Sequence, residues 1–349
     1  MNKKKKLLFI TRNYPPQVGG MEKYSSDFYI TLKDMIEVDL LKNSDGKWFL
    51  PFFFIRSFFF ILLYGHRYTH IHLGDAVLTP LVLVTKLTTS AKASCTVHGL
   101  DIIYDNAAYQ FIVARCLARM DKVVAVSRYT LNQCVIRGID PGRCYHISNG
   151  IRVAELVSAV SGLEDVLARY KIDAAGKKIL FSIGRLIKRK GILWFVENVM
   201  PMLATKYIYL IAGDGPEYGM IAAAVSRAGL VGQVHLLGRI TDNEKCCLYK
   251  YSECYIMPNI PVVGDAEGFG ITIIEAAAYG LPSIAADIEG IPDAVLDRVT
   301  GTLVPPCNAV KYMEAIDRAK FDRDRIAGYA RDTYDWSVLK MDYVMRIFT

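Results

Sequence analysis

Twelve short β-branched or apolar runs, most separated by stretches long enough for a helix, constrain what this chain can fold into more than any other feature. In the first half the runs are LLFIT (7–11), EVDLL (37–41), THIHL (69–73), ASCTVHG (93–99), KVVAVS (122–127) and CYHIS (144–148). The pattern then restarts with KILFSIG (178–184), YIYLIAG (207–213), QVHLLG (233–238), CYIMPN (254–259), PSIAA (282–286) and GTLVP (301–305). Short strands alternating with helical segments are the mark of parallel α/β architecture. Two successive series predict two doubly wound parallel sheets, and 349 residues is the length of two ordinary domains. The expected boundaries are a first domain over 1–155, a linker over 156–177 with no convincing strand, and a second domain over 178–334. The tail DWSVLKMDYVMRIF (335–348) reads as a helix that returns to the first domain, so that 335–349 completes it.

Apolar residues make up 52% of the chain and charged ones 22%, a balance that excludes disorder. The eight cysteines form no CxxC pair and have no histidine at zinc spacing, so they read as reduced, mostly buried apolar residues of a cytoplasmic protein. The opening MNKKKKLLFIT is basic, but its apolar stretch is too short for a secretory signal. Charge is unevenly spread. Residues 1–155 hold 20 Lys+Arg and 12 Asp+Glu, or +8, and the rest of the 42 and 35 leaves 22 and 23, or −1. The first half is therefore the one drawn to an anionic partner.

One segment stands apart. FLPFFFIRSFFFILLY (49–64) has seven phenylalanines and a single charge, Arg56, and is shorter than a bilayer span. Two readings stay open: an internal element packed on the first sheet, or an apolar surface that dips into a membrane interface or holds a lipid tail.

The residues with chemistry cluster after strands. Glu267-Gly268-Phe269-Gly270-Ile271 follows CYIMPN and opens the helical run ITIIEAAAYG, closed by Gly280-Leu281-Pro282. Glycines before a helix let a ligand approach free N–H groups at the positive dipole end, a site suited to phosphate. Glu267 and Glu275 beside it would repel a phosphate unless they bind something else, and sugar hydroxyls are the natural partners. Alternatively, Glu267 is a cap and Glu275 lies on a solvated face. Gly184-Arg185-Leu186-Ile187-Lys188-Arg189-Lys190-Gly191 follows the first strand of the second series, at the sheet edge where open α/β sheets bind ligands. A fork donor (Arg185) and a point charge (Lys190) suit a diphosphate, although such a loop alone is often merely solvated. Gly19-Gly20 follows the first strand and opens a helix. His98-Gly99-Leu100-Asp101 ends the fourth strand. Gly213-Asp214-Gly215-Pro216-Glu217 imitates a dinucleotide fingerprint, but its spacing and its proline make it a turn.

The ordered set YPPQVGGMEKY, VHGLD, VSRYT, SNGI, GRLIKRKG, AGDGPE, LGRIT, EGFGITIIEAAAYGLP and GIPD resembles the retaining GT-B glycosyltransferases of family 4 over nearly the whole chain. The resemblance implies two Rossmann-like domains facing a cleft, with an N-terminal acceptor side and a C-terminal side for a nucleotide-diphosphate sugar. By position, Arg185 and Lys190 would hold the diphosphate near Gly184, and Glu275 would accept the ribose hydroxyls. Glu267 and the backbone of Gly268, Phe269, Gly270 and Ile271 would contact sugar and phosphates. His98 would lie near the sugar, Gly19 and Gly20 near the phosphate, and Arg239-Ile240 at the base. The family needs no metal or other cofactor and retains configuration by front-face attack. The catalytic set is then Glu267, His98, Arg185 and Lys190. The expected acceptor is a lipid-linked saccharide of a surface polysaccharide or lipopolysaccharide pathway. The expected place is cytoplasmic, peripheral on the anionic inner face of the plasma membrane, with no nucleic-acid partner. The alternatives are a GT-B relative such as a nucleotide-sugar epimerase, or a non-catalytic partner subunit; a phosphorylase would need a pyridoxal lysine that no motif supplies.

Overall fold

A computed structural model describes residues 5–44, 46–156 and 162–349, and the chain divides into two compact units. The first unit is Met1–Ile151 with Gly264–Phe269 and Tyr334–Thr349; the second is Arg152–Val263 with Gly270–Thr333.

The first unit runs β1 (Lys6–Thr11), α1 (Gly20–Leu32), β2 (Glu37–Lys42), α2 (Leu50–Tyr64), β3 (His70–Leu73), α3 (Leu81–Thr88), β4 (Lys92–Val97), α4 (Leu100–Ile103), α5 (Ala107–Leu117), β5 (Lys122–Ala125), α6 (Arg128–Ile136) and β6 (Cys144–His146). The second runs α7 (Val153–Leu156), α8 (Leu163–Arg169), β7 (Lys178–Ile183), α9 (Ile192–Asn198), β8 (Tyr207–Ala212), α10 (Tyr218–Arg227), β9 (Val234–Gly238), α11 (Asp242–Tyr251), β10 (Cys254–Met257), α12 (Ile271–Ala278), β11 (Ser283–Ala286), β12 (Gly301–Val304), α13 (Ala309–Asp317) and α14 (Arg323–Tyr334), and α15 (Trp336–Asp342) belongs to the first. Every strand pairing is parallel. The sheets are ordered β2-β1-β3-β4-β5-β6 and β12-β11-β10-β7-β8-β9, so the two doubly wound sheets read from the sequence are present.

Burial on both faces explains why the inner strands are nearly continuous apolar runs. In β1, Leu8 and Ile10 point into a core built with α2, α3 and α5, while Leu7 and Phe9 point to the opposite core with α1 and α15. The returning tail is fixed in that second core. Tyr343 and Tyr24 share a hydroxyl–hydroxyl bond of 2.6 Å, and a Cβ on Gly150 would sit 2.8 Å from the Trp336 ring. Within the stretch expected as a linker, Leu163–Arg169 form α8. It packs on α11 in the second unit, with Arg169 Nη1 3.0 Å from Glu244.

The Phe-rich segment forms α2, with one side packed and the other exposed. Phe53, Ser57 and Ile61, four residues apart, form the buried stripe of α2, while Phe52, Ile55, Phe59 and Leu63 are more than half exposed. No helix among the described residues is long and apolar enough to cross a membrane. Of the basic run Lys3–Lys6, only Lys5 and Lys6 lie within the described residues. Lys6 is already engaged, 2.7 Å from Glu37 and 3.3 Å from Asp39.

Candidate functional site

In the second unit the chain winds outward from β7 through β8 to β9 on one side and from β10 through β11 to β12 on the other. The reversal falls between β7 and β10, and ligands of open α/β sheets bind outside the carboxyl ends of the strands at such a reversal. There, the loop after β7 and the segment after β10 line a pocket that includes Gly184, Arg185, Lys190, Tyr255, Met257 and Asn259. Arg185 is exposed and Lys190 half-buried. A single 3-10 turn over Lys188–Lys190 delivers the lysine and ends at Gly191, whose φ is +65°. Only glycine fits, because a Cβ there would overlap the Pro258 carbonyl oxygen.

The Gly213-Asp214-Gly215-Pro216-Glu217 motif braces this loop. Leu186 N–H donates to the Asp214 carbonyl (3.0 Å), and Glu217 N–H to the Leu186 carbonyl (3.1 Å). A Cβ on Gly213 would overlap the Gly184 carbonyl oxygen. The motif is a turn, and its work is mechanical.

The helix α12 begins at Gly270, with φ +97°, and no side chain caps its first turn. Its leading N–H groups therefore stand at the positive end of the helix dipole with no side-chain cap. Tyr255, buried on β10, joins the end of β7 to the first turn of α12. Its Oη lies 2.7 Å from Thr272 Oγ1 and 3.2 Å from the Ile183 carbonyl oxygen. Removing that hydroxyl by Tyr255→Phe is expected to cost about 1 kcal/mol of stability. A thermal melt of the variant beside the wild type measures that loss.

Glu275 lies one turn inside α12 and is buried, accepting from the Tyr249 hydroxyl at 3.2 Å. Lys245, one turn earlier on α11 than Tyr249, faces the same place. Burial works against its ammonium, yet Glu275 and then Asp242 (2.8 Å away) hold its pKa above the ordinary lysine value. Glu275 is thus a paired carboxylate and not a residue on a solvated face. Tyr249 and Lys245 carry no motif of their own, and only their four-residue spacing on a helix with the Thr241–Glu244 capping box hinted at a shared face. Arg239, at the end of β9, is exposed and 3.7 Å from Asp214. β9 lies two strands from β7, and neither Arg239 nor Ile240 lines the pocket.

In the first unit the sheet reverses between β1 and β3, and a buried network fills the carboxyl ends there. Asp75, fully buried, has Oδ2 2.9 Å from Arg12 Nε and 3.2 Å from Asn13 Nδ2, and Oδ1 2.9 Å from Val77 N–H. The Arg12 contact is an ion pair by distance, since its Nε–H is not aligned for a hydrogen bond. Burial disfavours the guanidinium, but Asp75 more than offsets this. Asp101 accepts from the N–H groups of His98 (2.8 Å) and Ala76 (3.0 Å), and its burial pushes the carboxyl above the ordinary aspartate range.

The His98 ring is held on two sides. Nε2 lies 2.9 Å from the Gly74 carbonyl, which can only accept, so Nε2 carries the proton, and the Tyr24 ring meets the imidazole edge-on at 4.7 Å. The His98-Gly99 turn, with Gly99 at φ +108°, lies against Gly268: a Cβ on Gly268 would overlap the His98 carbonyl oxygen. The fold therefore brings His98 and the Glu267-Gly268 segment together. Gly19 and Gly20 are exposed at the start of α1, and the Glu22 carboxylate already sits against Gly19. Among the described residues no group of three or more His, Cys, Asp or Glu is arranged to hold a metal ion.

Two family models match consecutive parts of the chain. Residues 18–155 match "Glycosyltransferase Family 4" and residues 168–333 match "Glycosyl transferases group 1". The chain is 31% identical over 212 residues to a phosphatidyl-myo-inositol mannosyltransferase of Mycobacterium leprae, an alignment that covers 58% of this chain and 52% of that protein. It is 23% identical to a GDP-mannose-dependent alpha-(1-6)-phosphatidylinositol monomannoside mannosyltransferase of Mycolicibacterium smegmatis, with 95% of each covered. Among solved structures it is similar to a sucrose-phosphate synthase from Thermosynechococcus elongatus, with a TM-score of 0.79, 20% identity and 98% of each chain covered.

Proposed function

Since the chain belongs to the family-4 glycosyltransferases of GT-B fold, we propose that it transfers a sugar from a nucleotide-diphosphate donor to a lipid-linked saccharide, with retention of configuration and without a metal. The observation that carries this reading is the strand reversal between β7 and β10. A basic loop, an uncapped helix end and a buried carboxylate belong to that one sheet edge. Arg185 and Lys190 supply the positive charge that a departing diphosphate needs, and the first turn of α12 adds N–H donors. Glu275 takes the ribose hydroxyls. His98 and Glu267 address the sugar. The lipid-linked acceptor is inferred from relatives whose names specify phosphatidylinositol-based acceptors.

In the reaction the acceptor oxygen attacks the anomeric carbon on the face from which the phosphate leaves. The C–O bond to phosphate breaks, the glycosidic bond forms, and the acceptor proton passes to the leaving phosphate oxygen. Arg185 and Lys190 hold that phosphate while it becomes the base.

The test is a transfer assay with UDP-, GDP- and ADP-sugars and a lipid-linked saccharide, with the product anomer assigned by NMR. A retained anomer is expected, and an inverted one contradicts the front-face step. Activity is expected to survive excess EDTA, because protein cations and a helix end face the diphosphate. Complete loss, restored by manganese, contradicts that part of the proposal.

A further inference from the structure

The outward face of α2 has properties that the donor site does not use. At 3.6 residues per turn, Phe52, Ile55, Phe59, Leu62 and Leu63 fall on one stripe, directly opposite the buried stripe of Phe53, Ser57 and Ile61. The exposures are 66%, 54%, 53%, 42% and 58%. Trp48 (96% exposed) and Phe49 extend the apolar run beyond the helix start, and Leu87 on α3, which packs on α2, is 85% exposed. Single exposed apolar residues are ordinary, but a continuous surface of large ones marks a site of association.

Charge identifies the occupant. From Gly46 to Tyr104 the chain has two acidic residues, Asp75 and Asp101, and both are buried in the His98 network. The same stretch exposes Arg56, Arg67, Lys86 and Lys92. Arg56 lies at the edge of the apolar stripe and Arg67 just past the end of α2, with its guanidinium 4.8 Å from the Tyr64 ring. A helix of 15 residues is too short to span a bilayer, but it is long enough to lie along one with its aromatic side inserted and its arginines at the headgroups.

We propose that this α2–α3 face docks on an anionic lipid bilayer, with Phe52, Ile55, Phe59, Leu62 and Leu63 inserted and Arg56 and Arg67 paired with lipid phosphates. The surface brings the enzyme to a lipid-borne acceptor, and in that purpose it rests on the proposed function. Binding itself is measured without any sugar, so failure of one reading is separable from failure of the other.

The experiment is co-sedimentation with vesicles of phosphatidylcholine alone or mixed with phosphatidylglycerol, at roughly 0.1 M and 1 M salt. The quadruple variant Phe52→Ser, Ile55→Ser, Phe59→Ser, Leu62→Ser leaves the buried stripe intact, and circular dichroism checks its fold. A second variant, Arg56→Glu with Arg67→Glu, alters charge alone. The wild type should bind the anionic vesicles and keep part of its binding in high salt, because apolar insertion is not screened. The serine variant should lose at least about tenfold in partition coefficient at both salts, the scale of a few large side chains returning to water. The glutamate variant should lose binding mainly at low salt, where charge acts. Three results overturn the proposal: no wild-type binding to anionic vesicles at low salt, binding unchanged in the folded serine variant, or a wild-type dimer in light scattering that the serine variant dissolves. The last would make a second copy the occupant.

Discussion

Gly268→Ala is expected to reduce kcat/KM by about a hundredfold or more while the protein stays folded. The added Cβ would overlap the His98 carbonyl oxygen, and backbone, unlike a flexible side chain, has to move as a unit. The His98-Gly99 turn is poorly able to give way. Its N–H is held by Asp101, its ring by Gly74 and Tyr24, and Asp101 also receives the Ala76 N–H. The loop that carries Glu267 must therefore retreat from His98, and misplacement on the order of 1 Å costs roughly a hundredfold in rate. Gly219→Ala is the matched control. Gly219 lies in α10 with open space around its Cα, so alanine there should raise stability by up to about 1 kcal/mol and leave kinetics unchanged. Equal activity in both variants would show that the His98–Gly268 contact is not part of the site.

Replacing Glu275 by alanine is expected to weaken nucleoside diphosphate binding at least about tenfold, since hydrogen bonds to a charged acceptor are worth roughly 1.5–3 kcal/mol each. Some stability goes with it. The Tyr249 hydroxyl, buried, loses its acceptor, and an unsatisfied buried donor costs about 1–3 kcal/mol. Lys245 keeps Asp242 as a partner, so the loss is partial. Glu275→Gln, which preserves shape and one acceptor oxygen, should recover most of the stability but only part of the affinity. The two readouts therefore separate a ribose contact from a packing role. If alanine lowers the melting temperature and leaves the affinity unchanged, Glu275 is structural.

All twelve strands stood out in the sequence, the inner ones because burial on both faces leaves no polar alternation to dilute the apolar signal. The glycines were equally legible. Gly191, Gly213 and Gly268 sit where a Cβ would strike backbone, and such positions punctuate the sequence next to strand ends. Three things were not legible. The side of α2 that faces solvent cannot be told from composition when fifteen residues include one charge; only Ser57, with its hydroxyl returned to the Phe53 carbonyl at 2.8 Å, marks the inward face. The network of Arg12, Asp75 and Asp101 joins segments far apart in sequence, so no local spacing announces it. Tyr255 lies within an apolar strand and reads as core until its hydroxyl is seen between Ile183 and Thr272.

On the proposed function, the sheet edge between β7 and β10 binds the diphosphate of a nucleotide sugar. Calorimetric titration of UDP, GDP and ADP, in metal-free buffer, into the wild type and into Arg185→Ala/Lys190→Ala measures it directly. One nucleotide should bind the wild type with a Kd near the micromolar range, about −8 kcal/mol, and the double variant should bind it about a hundredfold or more weakly while melting at the same temperature. Binding of the same strength in the double variant, or no binding of any of the three to the wild type, would contradict the account.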